Sequence, residues 1–150
     1  MSLVAAVVTA THPPYNPEPH AGSTETLQVG DSNSAVWRQG WQAPPIRLKY
    51  VFDGPVTLRG YVVAPPPEDL FSGPNGWRVD LYRHGRSRDA WNRVHEDVRV
   101  ADERVRGWPG AGPQTYLFGQ PVDGVGEAVV TFGSARSLTD IGVCQMYFIA

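Results

Sequence analysis

Glycine and proline punctuate this chain so often that no long helix fits between them. There are 16 Gly and 14 Pro among 150 residues, a fifth of the sequence, with no Gly-X-Y period. That excludes a collagen-like rod and a helical bundle, and it favours short strands joined by many turns. Between the breaks the hydrophobic pattern has period two. Ile46, Leu48 and Tyr50 alternate with Arg47 and Lys49. Val56, Leu58 and Val62 follow a Phe52-Asp-Gly-Pro55 turn signal, so this stretch is expected to form two neighbouring antiparallel strands. Trp77, Val79 and Leu81 form a third run; Val94, Val98 and Val100 a fourth; Tyr116 with Phe118 and then Ala128, Val130 and Phe132 close the series. Residues 141–149 are apolar on both faces, as a central strand would be. The charged segment 89–106 invites a helix, but its evenly spaced β-branched valines favour a strand.

About eight short strands and no convincing helix predict an all-β jelly roll or sandwich. The length suits one domain spanning residues 1–150, with an irregular Pro-rich segment at 11–26. The opening, Met1-Ser-Leu-Val-Ala-Ala-Val-Val-Thr-Ala10, is expected to be a first strand rather than a short signal peptide, because it lacks a basic start. The chain is accordingly expected to be made in a cytoplasm, with association to a virion or cell surface left open. No apolar run is long enough to span a membrane. A net charge of −2 argues against nucleic acid as a partner. The lone Cys144 excludes an intrachain disulfide and lies in an apolar run, where it is expected to be a small buried hydrophobe. All basic residues but Lys49 are arginine, a bias that codon usage explains and that bidentate recognition would also exploit.

Catalytic signatures are missing: there is no nucleophile elbow, phosphate-binding loop or zinc-binding His-Glu-x-x-His, and no enzyme is expected. The acids Asp80, Asp89, Glu96, Asp97, Asp102 and Glu103 interleave with arginines and are expected to form a solvated mixed-charge surface. Histidines 12, 20, 84 and 95 are scattered, without metal-ligand spacing. What remains is aromatic residues near turns. A sugar offers apolar C–H faces and hydroxyl edges, so its site needs an aromatic plate ringed by donors and acceptors. Trp37, Trp77 and Trp91 adjoin strand patterns and are expected in the core. Trp41 and Trp108 lie among Gly, Pro and Gln and are expected at the surface. The candidate ligand-binding set is Arg38, Trp41, His84, Arg86, Asn92 and Trp108. An exposed tryptophan can equally anchor a protein partner.

The segment 29–41, which carries Gly30, Asp31, Ser32, Ser34, Trp37 and Trp41, resembles the early signature of discoidin domains, the coagulation factor 5/8 C-terminal type. Residues 7–11 resemble that family's opening strand, 46–63 its paired strands, 77–91 its strand–turn–Trp hairpin, and 116–148 its closing strands. The resemblance implies a galactose-binding-like jelly-roll sandwich of about eight antiparallel strands, with ligand loops at one end. It implies binding of glycans, lipid headgroups or proteins rather than catalysis. Sugar-binding members often hold a structural Ca²⁺ through the Asp at position 31 and a Glu in the last strand. Here Gln145 stands at that last-strand position, a neutral oxygen for a hard cation, so no cofactor is expected and calcium near Asp31 is not favoured. The spacing from Asp31 to Trp37 is one residue longer than the common form, and no arginine stands in 126–132. The leading expectation is a glycan-recognition module. The alternative is a structural part of a virus particle, a bacteriophage capsid decoration or tail accessory, with protein surfaces, particle subunits or its own copies as partners and the Pro-rich arm laid over a neighbour.

Overall fold

A computed structural model of the chain describes residues 2–10, 24–28, 37–40, 46–68, 70–86, 90–99, 112–135 and 140–150. They form nine strands: β1 (Leu3–Val4), β2 (Ala6–Ala10), β3 (Trp37–Gly40), β4 (Ile46–Ala64), β5 (Pro74–Arg83), β6 (Arg93–Arg99), β7 (Gln114–Ala135), β8 (Asp140–Val143) and β9 (Gln145–Ile149). The only helical pieces among the described residues are short 3-10 turns at Thr24–Gln28, Leu70–Ser72 and Ala90–Asn92.

β4 and β7 are the spine. At 19 and 22 residues they pair antiparallel along most of their length, from Ile46↔Phe132 to Val63↔Gln114. The register slips between Val51 and Gly60, where both strands bend. Before the bend β4 is flanked by β2 and by the second half of β7, which continues to β5 and β6. After it, β4 is flanked by β9, with β1 beyond, and by the first half of β7. One bent antiparallel sheet thus supplies both layers of a jelly-roll sandwich, and β3 pairs with β8 separately. The expectation of two strands divided by a reversal at Phe52-Asp-Gly-Pro55 is corrected. Gly54 takes φ 91°, which an Asp-Gly-Pro turn signal permits, but the chain bulges instead of turning back because β7 runs on beside it. The expected single strand over 141–149 is likewise two. Cys144 breaks it, donating its N–H to the Ala64 carbonyl at 2.9 Å, and the chain moves from β3's side to β4's. The opening residues are strand, as expected.

The core follows from the alternation. Ile46, Leu48, Tyr50 and Phe52 point inward while Arg47 stays exposed; Trp77, Val79 and Leu81 do the same on β5. Phe148, from the other layer, meets Tyr50 and Phe52 edge-on at 5.0 and 5.8 Å. The Tyr50 hydroxyl donates to the Met146 carbonyl at 2.7 Å, and burial pushes its pKa far above the ordinary range. Trp37 and Trp77 are core residues and Cys144 is buried, as expected. Residues 11–23 of the Pro-rich segment lie outside the described residues. Its last part, expected to be irregular, is the 3-10 turn Thr24–Gln28. That turn is fixed to β2 by Gln28, which takes the Ala6 N–H at 2.8 Å and donates to the Ala6 carbonyl at 2.6 Å.

Candidate ligand site at the β5–β6 turn

β6 is an edge strand, and its pairing sets up two different surfaces. Arg78 and Asp80 lie on the outer face of β5, opposite Val98 and Glu96. Asp80 is only 7% exposed and accepts from the Arg78 Nε at 2.8 and 3.0 Å. Glu96 accepts from the Arg78 Nη2 at 2.7 Å, and Arg93 Nη1 lies 3.1 Å from Glu96 and 3.5 Å from Asp80. The hydrogen bond to Asp80, helped by Glu96, raises the pKa of Arg78 above its usual value. Glu96 and Arg93 are exposed, as expected of a solvated mixed-charge surface, but Asp80 is corrected: it is sunk beneath its partners. Asp89, Asp102 and Glu103 lie outside the described residues.

The inner face of β6 also departs from a solvated surface. Asp97 pairs with Val79 and faces inward, where it accepts from the Tyr61 hydroxyl at 2.6 Å. The same hydroxyl accepts from Trp77 Nε1 at 2.8 Å. His95, opposite Leu81, lays its ring against Phe118 with centroids 4.6 Å apart. An inward carboxylate is tolerated here because it finds a hydroxyl donor.

Where β5 passes into β6 the chain reaches solvent. The strands part at the Tyr82↔Arg93 pair, after a register shift. Gly85 supplies φ 72° in the turn that follows. The turn is held against the bend of β7. The His84 N–H donates to the Gly124 carbonyl at 2.9 Å, and Gly126 leaves no room for a Cβ beside the His84 backbone. Next to it a cleft of about 510 Å³ opens between Val94 and His95 on one side and residues 119–123 on the other. Asp123, on its wall, accepts from the Thr57 hydroxyl at 2.7 Å.

Trp91 stands at the neck of this turn and is 91% exposed, the most exposed large hydrophobic side chain among the described residues. Its expected place in the core is corrected. The strand pattern of β6 begins at Arg93, and Trp91 lies in the preceding 3-10 turn Ala90–Asn92, outside the alternation. His84 and Arg86 are exposed and Asn92 half-buried in the same connection. Arg83, absent from the candidate set, is exposed there too. Its cue in the sequence is an arginine closing a strand just before a polar Gly turn.

The structure describes four of the six candidates. His84, Arg86 and Asn92 share the β5–β6 turn. Arg38 belongs to β3, paired with Gly142. Trp41 and Trp108 lie outside the described residues. Asp31 is outside the described residues; Gln145 is buried in β9. An exposed indole can stack on an apolar face, and guanidinium, imidazole and amide groups carried on the same turn can hydrogen-bond the rim of a ligand. No helix among the described residues is long and apolar enough to cross a membrane.

By sequence, no family model and no curated protein matches the chain. By structure, many solved chains do. A CBM32 module from Clostridium perfringens in complex with GalNAc-beta-1,3-galactose superposes with TM-score 0.71 at 10% identity, covering 97% of this chain and 95% of that one. An F5/8 type C domain from Bacteroides fragilis gives 0.72 at 17% identity, over 96% and 90%. The family 32 carbohydrate-binding module of Clostridium perfringens NanJ, in complex with galactose, gives 0.67 at 13%, over 95% and 92%. The bent sheet, the strand order and these likenesses agree: the chain has the galactose-binding-like jelly-roll fold of F5/8 type C, or discoidin, domains.

Proposed function

We propose that the protein is a non-catalytic glycan-recognition module. The observation that carries this is Trp91, an indole presented to solvent in the same turn as His84, Arg86 and Asn92. An indole exposed outside the core offers a flat apolar face, and a sugar face fits such an indole with polar groups around it. The neighbours in fold support the reading through what they hold: galactose, GalNAc-beta-1,3-galactose and, in a third case, 4,5-unsaturated mannuronic acid. The alternative of a virus-particle component gains no observation from the fold or from the comparisons.

A glycan array of the purified chain, with Trp91→Ala, Trp41→Ala and Trp108→Ala in parallel, tests the proposal. Binding that Trp91→Ala abolishes places the site at the β5–β6 turn. Binding lost only with Trp41 or Trp108 places it at those residues instead. A blank across a broad array overturns the glycan reading.

A further inference from the structure

We propose that the ligand taken at the β5–β6 turn is an acidic oligosaccharide, one whose sugars carry carboxylates. This rests on the glycan-recognition reading and adds the chemical class. Four arginines and a single aspartate fall in residues 83–93 of a chain whose net charge is −2. Arg88 and Asp89 lie outside the described residues; the structure divides the other three arginines by use. Arg93 is bound to Asp80 and Glu96, as is Arg78 further down β5. Arg83 and Arg86 are exposed, and neither side chain has a hydrogen bond or ion pair among the described residues. His84 stands between them in sequence, equally exposed and equally without a side-chain partner among the described residues. The one acid that lines the adjoining cleft, Asp123, already has an oxygen engaged by Thr57.

Among the described residues, two guanidiniums at this turn have no acid partner while Arg78 and Arg93 are paired, and the pair offers an anion site. A guanidinium presents paired donors that fit a carboxylate in two parallel hydrogen bonds, which a neutral hydroxyl cannot match. Arg83 lies one residue past the Tyr82↔Arg93 pair, and Trp91 two residues before it, so both stand at the neck of one turn. The indole would take the apolar face of a sugar ring while Arg83 and Arg86 take its carboxylate. The turn is fixed for this role: His84 is bonded to Gly124 and packed over Gly126, so the arginines are carried on an anchored backbone.

Calorimetry of the full chain tests this with a uronic-acid oligosaccharide and a neutral galactose oligosaccharide of equal length, at low and raised salt. The expected result is binding of the acidic ligand at least about tenfold tighter than the neutral one, weakened by salt, and reduced at least about tenfold in Arg83→Gln/Arg86→Gln. Trp91→Ala should abolish it. All these side chains are exposed, and an unchanged melting temperature confirms that each variant is folded. Equal binding of the neutral sugar, untouched by the double substitution, overturns the acidic class and leaves glycan recognition standing. Binding of neither ligand overturns the acidic class, and a blank glycan array then removes the wider reading as well.

Discussion

The two ends of the β5–β6 hairpin use the same residue types to opposite effect. Along the strands Arg78 and Arg93 are locked to Asp80 and Glu96, and the inner face ties Trp77, Tyr61 and Asp97 into a hydrogen-bonded chain. At the turn Arg83, Arg86 and Trp91 stand in solvent. Where each polar group has a partner, the side chains serve the fold. Arg83 and Arg86, with no side-chain partner among the described residues, and the exposed face of Trp91 are available to something else. Stability and recognition should therefore separate along a single hairpin.

The sharpest way to break this separation is Gly126→Ala, because the new Cβ collides with the His84 backbone. It should cost about 3 kcal/mol in chemical denaturation and weaken ligand binding as well, since it unseats the turn. Retained binding would mean that the anchor does not position the site. Tyr61→Phe comes next. It removes the hydroxyl that donates to Asp97 and accepts from Trp77. The loss should be about 2 kcal/mol with binding unchanged. A smaller change follows for Arg78→Gln, about 1 kcal/mol, because Arg78 is exposed enough for solvent to screen it while Arg93 still faces Asp80. Trp91→Ala should be the smallest in stability, within about 0.5 kcal/mol, and the largest in binding. A marked fall in its melting temperature would show that the indole supports the fold instead.

Much of the fold is legible in the residues. The alternation of Ile46, Leu48 and Tyr50, and of Trp77, Val79 and Leu81, assigns strands and inward faces, because a pleated backbone turns successive side chains to opposite sides. The Trp37 segment points to the discoidin-like architecture that the likenesses in fold support. The site is less legible. Trp91 sits two residues from a strand whose valines alternate, and nothing local says that β6 starts at Arg93 rather than earlier. Asp80 and Asp97 look alike in sequence, as acids among arginines. One lies beneath an ion-pair network and the other faces Tyr61, a residue 36 positions away.

The sequence by itself determined that this chain is an all-β protein with Trp37, Trp77 and the alternating aliphatic residues inside. Those outcomes depend on backbone period and on Gly and Pro, which act over a few residues. The tertiary structure alone decided that Asp53-Gly54 would bulge rather than reverse, that β4 and β7 would each serve both layers, and which arginines would find acids. Those outcomes depend on which strand lies alongside, and a short window of sequence carries no information about a neighbour that is far away along the chain.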